Sequence, residues 1–236
     1  MQDFTTTFGN SVANAAPIER AAFIRKTYLL LAGAIFTFIA LEVVLFASGI
    51  ADAIAGLFFL AGRLGWLGVL GGFMLISWLS NKWAVSETSS AVQYFGLGLF
   101  IVAEAIIFIP LLYVAAYASG DPSVILKAGI VSIALFAGLT LTVFVTRTDF
   151  SWLAPILAIG GFAALGFIVI SAIFGFTLGN VFALVMVAFA GSAILYETSN
   201  VLHRFNTRQH VAAALSLFAS VALLFWYILR IFSSRR

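Results

Sequence analysis

The sequence predicts an all-α membrane protein built as a bundle of seven transmembrane helices. Three observations carry this. First, 63% of the 236 residues are hydrophobic and only 9% charged, where a soluble domain of this size carries roughly a quarter charged residues. There are too few polar side chains to cover a water-facing surface, so lipid must solvate most of the chain. Second, the apolar residues fall into seven runs, each close to the roughly 20 residues that a spanning helix needs. Third, the polar connections between runs are short. A β-barrel would need strands of about ten residues alternating in polarity. These runs are twice that length and apolar throughout, and only helices or closed barrels satisfy backbone groups in lipid.

The elements follow in order. Residues 1–26 (MQDFTTTFGNSVANAAPIERAAFIRK) are polar to mildly amphipathic. They are expected to form a cytoplasmic tail. They lack the basic-then-apolar order of a cleavable signal, so the first span is expected to direct insertion. That span is expected at 27–48. Residues 49–63 (GIADAIAGLFFLAGR) start too polar to cross and read as an interfacial helix leading into the second span. The second and third spans are expected at 64–81 and 91–117. In ASGDPS (118–123), Asp121-Pro122 is a turn and helix-start signal, and the fourth span follows at 124–146. The tight connections TRTDFS (146–151) and FGFT (174–177) flank a fifth span at 152–173. The sixth is expected at 178–199. After the longest polar interruption, NVLHRFNTRQH (200–210), the seventh runs over 211–232, and 233–236 is a short basic tail. Residues 27–232 therefore read as one transmembrane domain without a repeat.

Charge placement sets the expected orientation. With the N-terminus inside, the cytoplasmic side receives Arg20, Arg25, Lys26, Lys82, Arg147, Arg204 and Arg208. The other side receives Arg63, Lys127, Arg230, Arg235 and Arg236. The bias favours a cytoplasmic N-terminus, and an odd number of spans puts the C-terminus in the periplasm. Nucleic acid is not an expected partner, since no basic cluster is interleaved with aromatics. There is no cysteine, which excludes thiolate metal sites and disulfides. Gly191-Ser192-Ala193 loosely resembles an intramembrane serine nucleophile, but its possible bases, His203 and His210, lie beyond the span. No span interior holds an Asp for an aspartyl dyad, and two loop histidines do not make a zinc hydrolase. No enzyme, no cofactor and no metal site is expected.

Ionisable groups at membrane depth are functional candidates by default. Glu42, Glu104 and Glu197 qualify, and no Lys or Arg lies at comparable depth. Such an acid favours its neutral form at rest and attracts protons or hard cations such as Ca²⁺ when it ionises. Each has a plainer alternative. Glu42 can snorkel outward. Glu104 shares a face with Gln93, Leu97 and Phe100 and can be structural. Glu197 can be a solvated helix-end residue. Ser216 and Ser220 share one face of the seventh span, where small hydroxyl residues often serve helix packing.

Two stretches carry a resemblance. LFAGLTLTVFVTRTDFSWLAPIL (135–157), and AILYETSNVLHRF (193–205) followed by AALSLFASVALLFWYILRIF (213–232), are similar to segments of the transmembrane Bax inhibitor motif (Bax inhibitor-1) family. The loop Thr146-Arg147-Thr148-Asp149-Phe150-Ser151 is the most specific part. The resemblance implies two layers of three helices with the seventh in the middle. It also implies a pair of aspartates on the last two spans that share a proton and gate a calcium leak. Here Glu197 stands for the first and Ser220 for the second, so the dyad is broken in the manner of the YccA-like bacterial branch, which is linked to a membrane quality-control protease. The reading is a bacterial inner-membrane protein, with Glu197 as the protonatable gate and Ser220 as its hydrogen-bond partner. Glu104, Glu42 and Ser216 are candidate path residues. The expected partners are the lipid bilayer, with Ca²⁺ or protons as the permeating species. The alternative is a non-conducting modulator of a membrane-bound protease.

Overall fold

The computed structural model describes residues 11–86, 89–121 and 123–234. Seven long helices follow one another: α1 (Pro17–Ala47), α2 (Ile50–Ala84), α3 (Ser90–Tyr113), α4 (Ser123–Thr146), α5 (Leu153–Phe174), α6 (Gly179–His203) and α7 (His210–Ser233). All seven are long and apolar enough to cross a membrane, and the described residues contain no strand.

Local chemistry accounts for the helix ends. Pro17 occupies the first turn of α1, where a missing N–H costs nothing, and Glu19 complements the helix dipole beside it. Ser89 caps α3 by accepting a hydrogen bond from the Val92 amide at 3.3 Å. Asp121 starts α4 as its sequence suggests. Its carboxylate accepts from the Ser123 amide at 3.0 Å and pairs with Lys127, also at 3.0 Å. The Ser123 hydroxyl above all, then Lys127 and the Ser123 amide, hold the half-buried Asp121 carboxyl down at about 2. Gly175 ends α5 with φ 79°, a left-handed conformation that costs glycine little.

The segment expected as an interfacial helix is helical. It meets the second span at a break on Gly62, whose φ of 61° and ψ of −162° are not helical. Residues 11–26 differ from the expected free tail. The first helix starts ten residues before position 27, and a short strap ahead of it (Ser11–Ala15) is docked. The Val12 amide donates to the Phe205 carbonyl at 2.9 Å, the Ser11 hydroxyl donates to the His203 carbonyl at 3.1 Å, and Val12 is fully buried. Arg20 folds back to donate to the Val12 and Ala13 carbonyls. Composition alone hid this strap, because one buried valine and two hydrogen bonds to backbone carbonyls fix it. Residues 1–10 and 235–236 of the expected tails lie outside the described residues.

α7 is the central element. It packs against α1, α2, α3, α4 and α6, and fourteen of its residues are buried, whereas α5 buries only Leu153 and Ala164. On one side α1, α2 and α3 pack on one another; on the other, α4 and α5 pack on α6. An aromatic layer fills the middle: Phe38 lies edge-on to Phe108 at 5.1 Å and to Phe218 at 6.1 Å, and Phe108 stacks on Phe225. α2 and α3 meet closely at Gly96, where an added Cβ would lie 2.8 Å from the Ser80 carbonyl oxygen.

Candidate functional site at the end of the sixth helix

The last turns of α6 carry Tyr196, Glu197, Thr198, Ser199 and Asn200 in consecutive positions, with His203 one turn beyond Ser199. Thr198, Ser199 and Asn200 are buried, while Glu197 is half-buried. The Glu197 carboxylate accepts a hydrogen bond from Asn200 Nδ2 at 3.3 Å, the i to i+3 spacing that puts both on one face. No cation pairs with Glu197; the ion pair between Lys127 and Asp121 is the only one among the described residues.

The expected hydrogen bond between Glu197 and Ser220 is not made. Ser220 instead donates to the Ser216 carbonyl one turn earlier on its own helix, at 3.1 Å. A serine inside an apolar helix always has this backbone acceptor within reach. Ser220 is buried and Ser216 half-buried on α7. Glu42 on α1 and Glu104 on α3 are both buried at 7% exposure. Both carboxylate oxygens of Glu42 lack a partner. The three acids sit on three different helices. No cluster of three or more metal-ligating side chains occurs among the described residues.

A second set of contacts, not singled out from sequence, ties the α4–α5 loop to the same place. Ser199 Oγ accepts from the Phe150 amide at 2.9 Å and donates to Asp149 Oδ1 at 3.3 Å. Asp149 Oδ1 also accepts from the Ser151 amide at 2.9 Å. That backbone bond first, and then the Ser151 side chain, the charge of Arg204 and the Ser199 hydroxyl, hold the Asp149 carboxyl below its ordinary value. His203 Nδ1 lies 3.0 Å from the Ser199 carbonyl, which can only accept, so Nδ1 carries a proton. Asp, Ser and His meet here, but the acid touches the serine rather than the histidine, and Ser199 is 1% exposed. The group is a clamp between two spans. The sequence shows only the local half of it, Asp149-Phe150-Ser151, a turn whose first side chain reaches its own backbone.

Beside the clamp, Tyr196, Asn200, Arg204, Phe205 and Gln209 line a cleft of about 240 Å³. The Ser11–Ala15 strap lies against the same α6–α7 connection through Phe205 and through the bridge between Ser11 and Asn206.

The family model described as "Inhibitor of apoptosis-promoting Bax1" matches residues 20–236, nearly the whole chain. The chain belongs to the Bax inhibitor-1 family. It is similar to the uncharacterized protein PA2604 of Pseudomonas aeruginosa, with 29% identity over 168 residues, covering 70% of this chain and 71% of that protein. It is also similar to the Golgi anti-apoptotic protein of vaccinia virus strain Lister, with 26% identity over 232 residues, covering 95% of this chain and 90% of the viral protein. The protein is therefore a multi-pass, Bax inhibitor-1-like membrane protein.

Proposed function

We propose that this protein is a pH-sensitive cation leak, or a regulatory relative of one, of the bacterial inner membrane, with Glu197 as the protonatable gate. The supporting observation is the placement of Glu197. It is a half-buried carboxylate without a cation, held by a single amide, at the end of the helix that packs on the central α7. A neutral Glu197 leaves the seam between α6 and α7 closed. An ionised Glu197 draws water or a cation into a low-dielectric seam and loosens it. Glu104 and Glu42 are the proposed relay positions, on the two helices that flank α7 from the other side. Calcium or protons are the proposed permeants. The likeness to a Pseudomonas protein favours a bacterial setting, and the charge distribution favours a cytoplasmic N-terminus. The reading is non-enzymatic.

The test is Ca²⁺ flux through the purified protein in liposomes across a pH series. The leak is expected to rise as pH rises through the Glu197 titration. Glu197→Gln is expected to flatten the response. Ser220→Asp is expected to rebuild two facing carboxylates and split the response into two coupled steps. A parent without flux at any pH, together with a silent Ser220→Asp, would remove the leak and leave the protease-modulator reading.

A further inference from the structure

The cleft at the end of α6 has recognition features beyond the Glu197–Asn200 contact. Asn200 is 8% exposed, and its two amide atoms have different fates. Nδ2 donates to Glu197, while Oδ1 is buried without any partner. A buried acceptor left unmatched is costly, so a ligand that brings an N–H there gains by relieving it. With Glu197 ionised, the amide orientation is fixed by chemistry, because an ionised carboxylate only accepts. One turn further on, Arg204 is exposed and makes no ion pair among the described residues. Gln209 Oε1 is taken by the Asn206 amide at 3.0 Å, which leaves the Gln209 amino group as a donor beside Arg204. Tyr196 and Phe205 supply apolar walls.

The cleft thus asks for two charges in a fixed order: a hydrogen-bonding cation at Asn200, with the Glu197 carboxylate behind it, and an anion at Arg204 and Gln209. Residues one turn apart stand about 5–6 Å apart at Cβ, a separation that a short two-carbon bridge can span. The cleft lies where an apolar spanning helix ends and the polar connection begins, at the level of lipid headgroups. We propose that it binds the headgroup of a phosphatidylethanolamine, with the ammonium donating to Asn200 Oδ1 and the phosphate accepting from Arg204 and Gln209. Phosphate alone leaves Asn200 unmatched. A choline headgroup carries a cation but no N–H to donate. A glycerol headgroup can donate from a hydroxyl but brings no positive charge toward Glu197. The proposal shares Glu197 with the proposed gate and needs it ionised, but it does not require that the protein conduct.

The test uses the full chain in detergent, titrated with dihexanoyl phosphatidylethanolamine, the matching choline and glycerol lipids, and water-soluble glycerophosphoethanolamine. Adducts are counted by native mass spectrometry. The ethanolamine lipid is expected to bind about tenfold tighter than the choline lipid, the worth of one charge-assisted hydrogen bond. Arg204→Gln is expected to weaken ethanolamine and glycerol lipids alike by about tenfold. Asn200→Ala is expected to erase the preference for ethanolamine over choline. If that variant does not fold, the exposed Arg204→Gln and Gln209→Ala still report on the phosphate side. Equal binding of ethanolamine and choline lipids by the parent would overturn the proposal, as would binding untouched by Arg204→Gln. Glycerophosphoethanolamine binding as tightly as the lipid would overturn the membrane source.

Discussion

α5 and α7 are nearly equal in length and apolar throughout, yet they occupy opposite places in the molecule. α7 is enclosed by α1, α2, α3, α4 and α6; α5 offers its length to lipid. In water, hydrophobicity would separate an inner helix from an outer one. In a bilayer it cannot, because lipid tails are as apolar as leucine, and van der Waals fit decides the arrangement instead. The amount of small residue does not separate them, since α5 carries more Gly and Ala than α7; the difference lies in which face the neighbours cover. The buried surface of α7 includes Ala212, Ala213, Ala214, Ser220 and Ala222, which let neighbouring backbones approach. α5 turns Ile156, Ile159, Phe162, Phe167, Ile173 and Phe174 outward. What holds α5 in register is in part polar: the clamp of Asp149 and Phe150 on Ser199, just before its first turn.

That contrast can be broken at four points. The largest effect is expected on α7. Leu217 is fully buried, and Leu217→Ala leaves a cavity. Because lipid and protein interior are equally apolar, only the cavity part of the usual penalty applies, so the loss should be about 2 kcal/mol, read as a lower midpoint in denaturant titration in detergent. Next comes the α2–α3 crossing. Gly96→Val must push α3 away from the Ser80 carbonyl, at about 1–3 kcal/mol, seen as a lower melting temperature. An unchanged melting temperature would mean that this crossing is loose.

The clamp on α5 should respond to acid. The Asp149 carboxyl sits below its ordinary value of 3.8 in the folded chain. Its contribution is therefore fully present above that value and lost as pH falls through the lower, folded one. Protection of the 147–152 amides against hydrogen exchange, measured relative to the intrinsic rate at each pH, should fall below about pH 4, and Ser199→Ala should bring the same loss of protection to neutral pH. The smallest effect is expected on the lipid face. Phe162, 78% exposed on α5, should tolerate Phe162→Ala within about 0.5 kcal/mol. A loss comparable to that of Leu217→Ala would mean that α5 has a protein neighbour in the membrane.

The number of helices, their order and the sharp start at Asp121 were legible, because span length and turn chemistry are local. The central place of the last helix came from resemblance, and hydropathy could not have supplied it. Glu42 and Glu104 were legible as buried acids because carboxylates are rare in apolar runs. Their neighbours were not, since helix rotation is set by packing. The pairing of Glu197 with Ser220 failed for a local reason: the Ser216 carbonyl is always one turn away, whereas Asn200 holds Glu197 from three residues along the same helix. The Asp149–Ser199 contact joins residues 50 positions apart, a distance over which sequence pattern carries no signal.

The strap at Ser11–Ala15 acts as a parity check on insertion. Its partners at His203 and Phe205 lie 192 and 193 residues further along, so the strap is synthesised long before there is anything for it to grip. Six helices, α1 to α6, intervene. The strap and the α6–α7 connection meet on one face only when the chain between them has crossed the bilayer an even number of times. A chain that skips one crossing strands the two on opposite sides, and Val12 is left without its pocket. Closing the strap is thus a late step of biogenesis, and one that a misthreaded molecule cannot take.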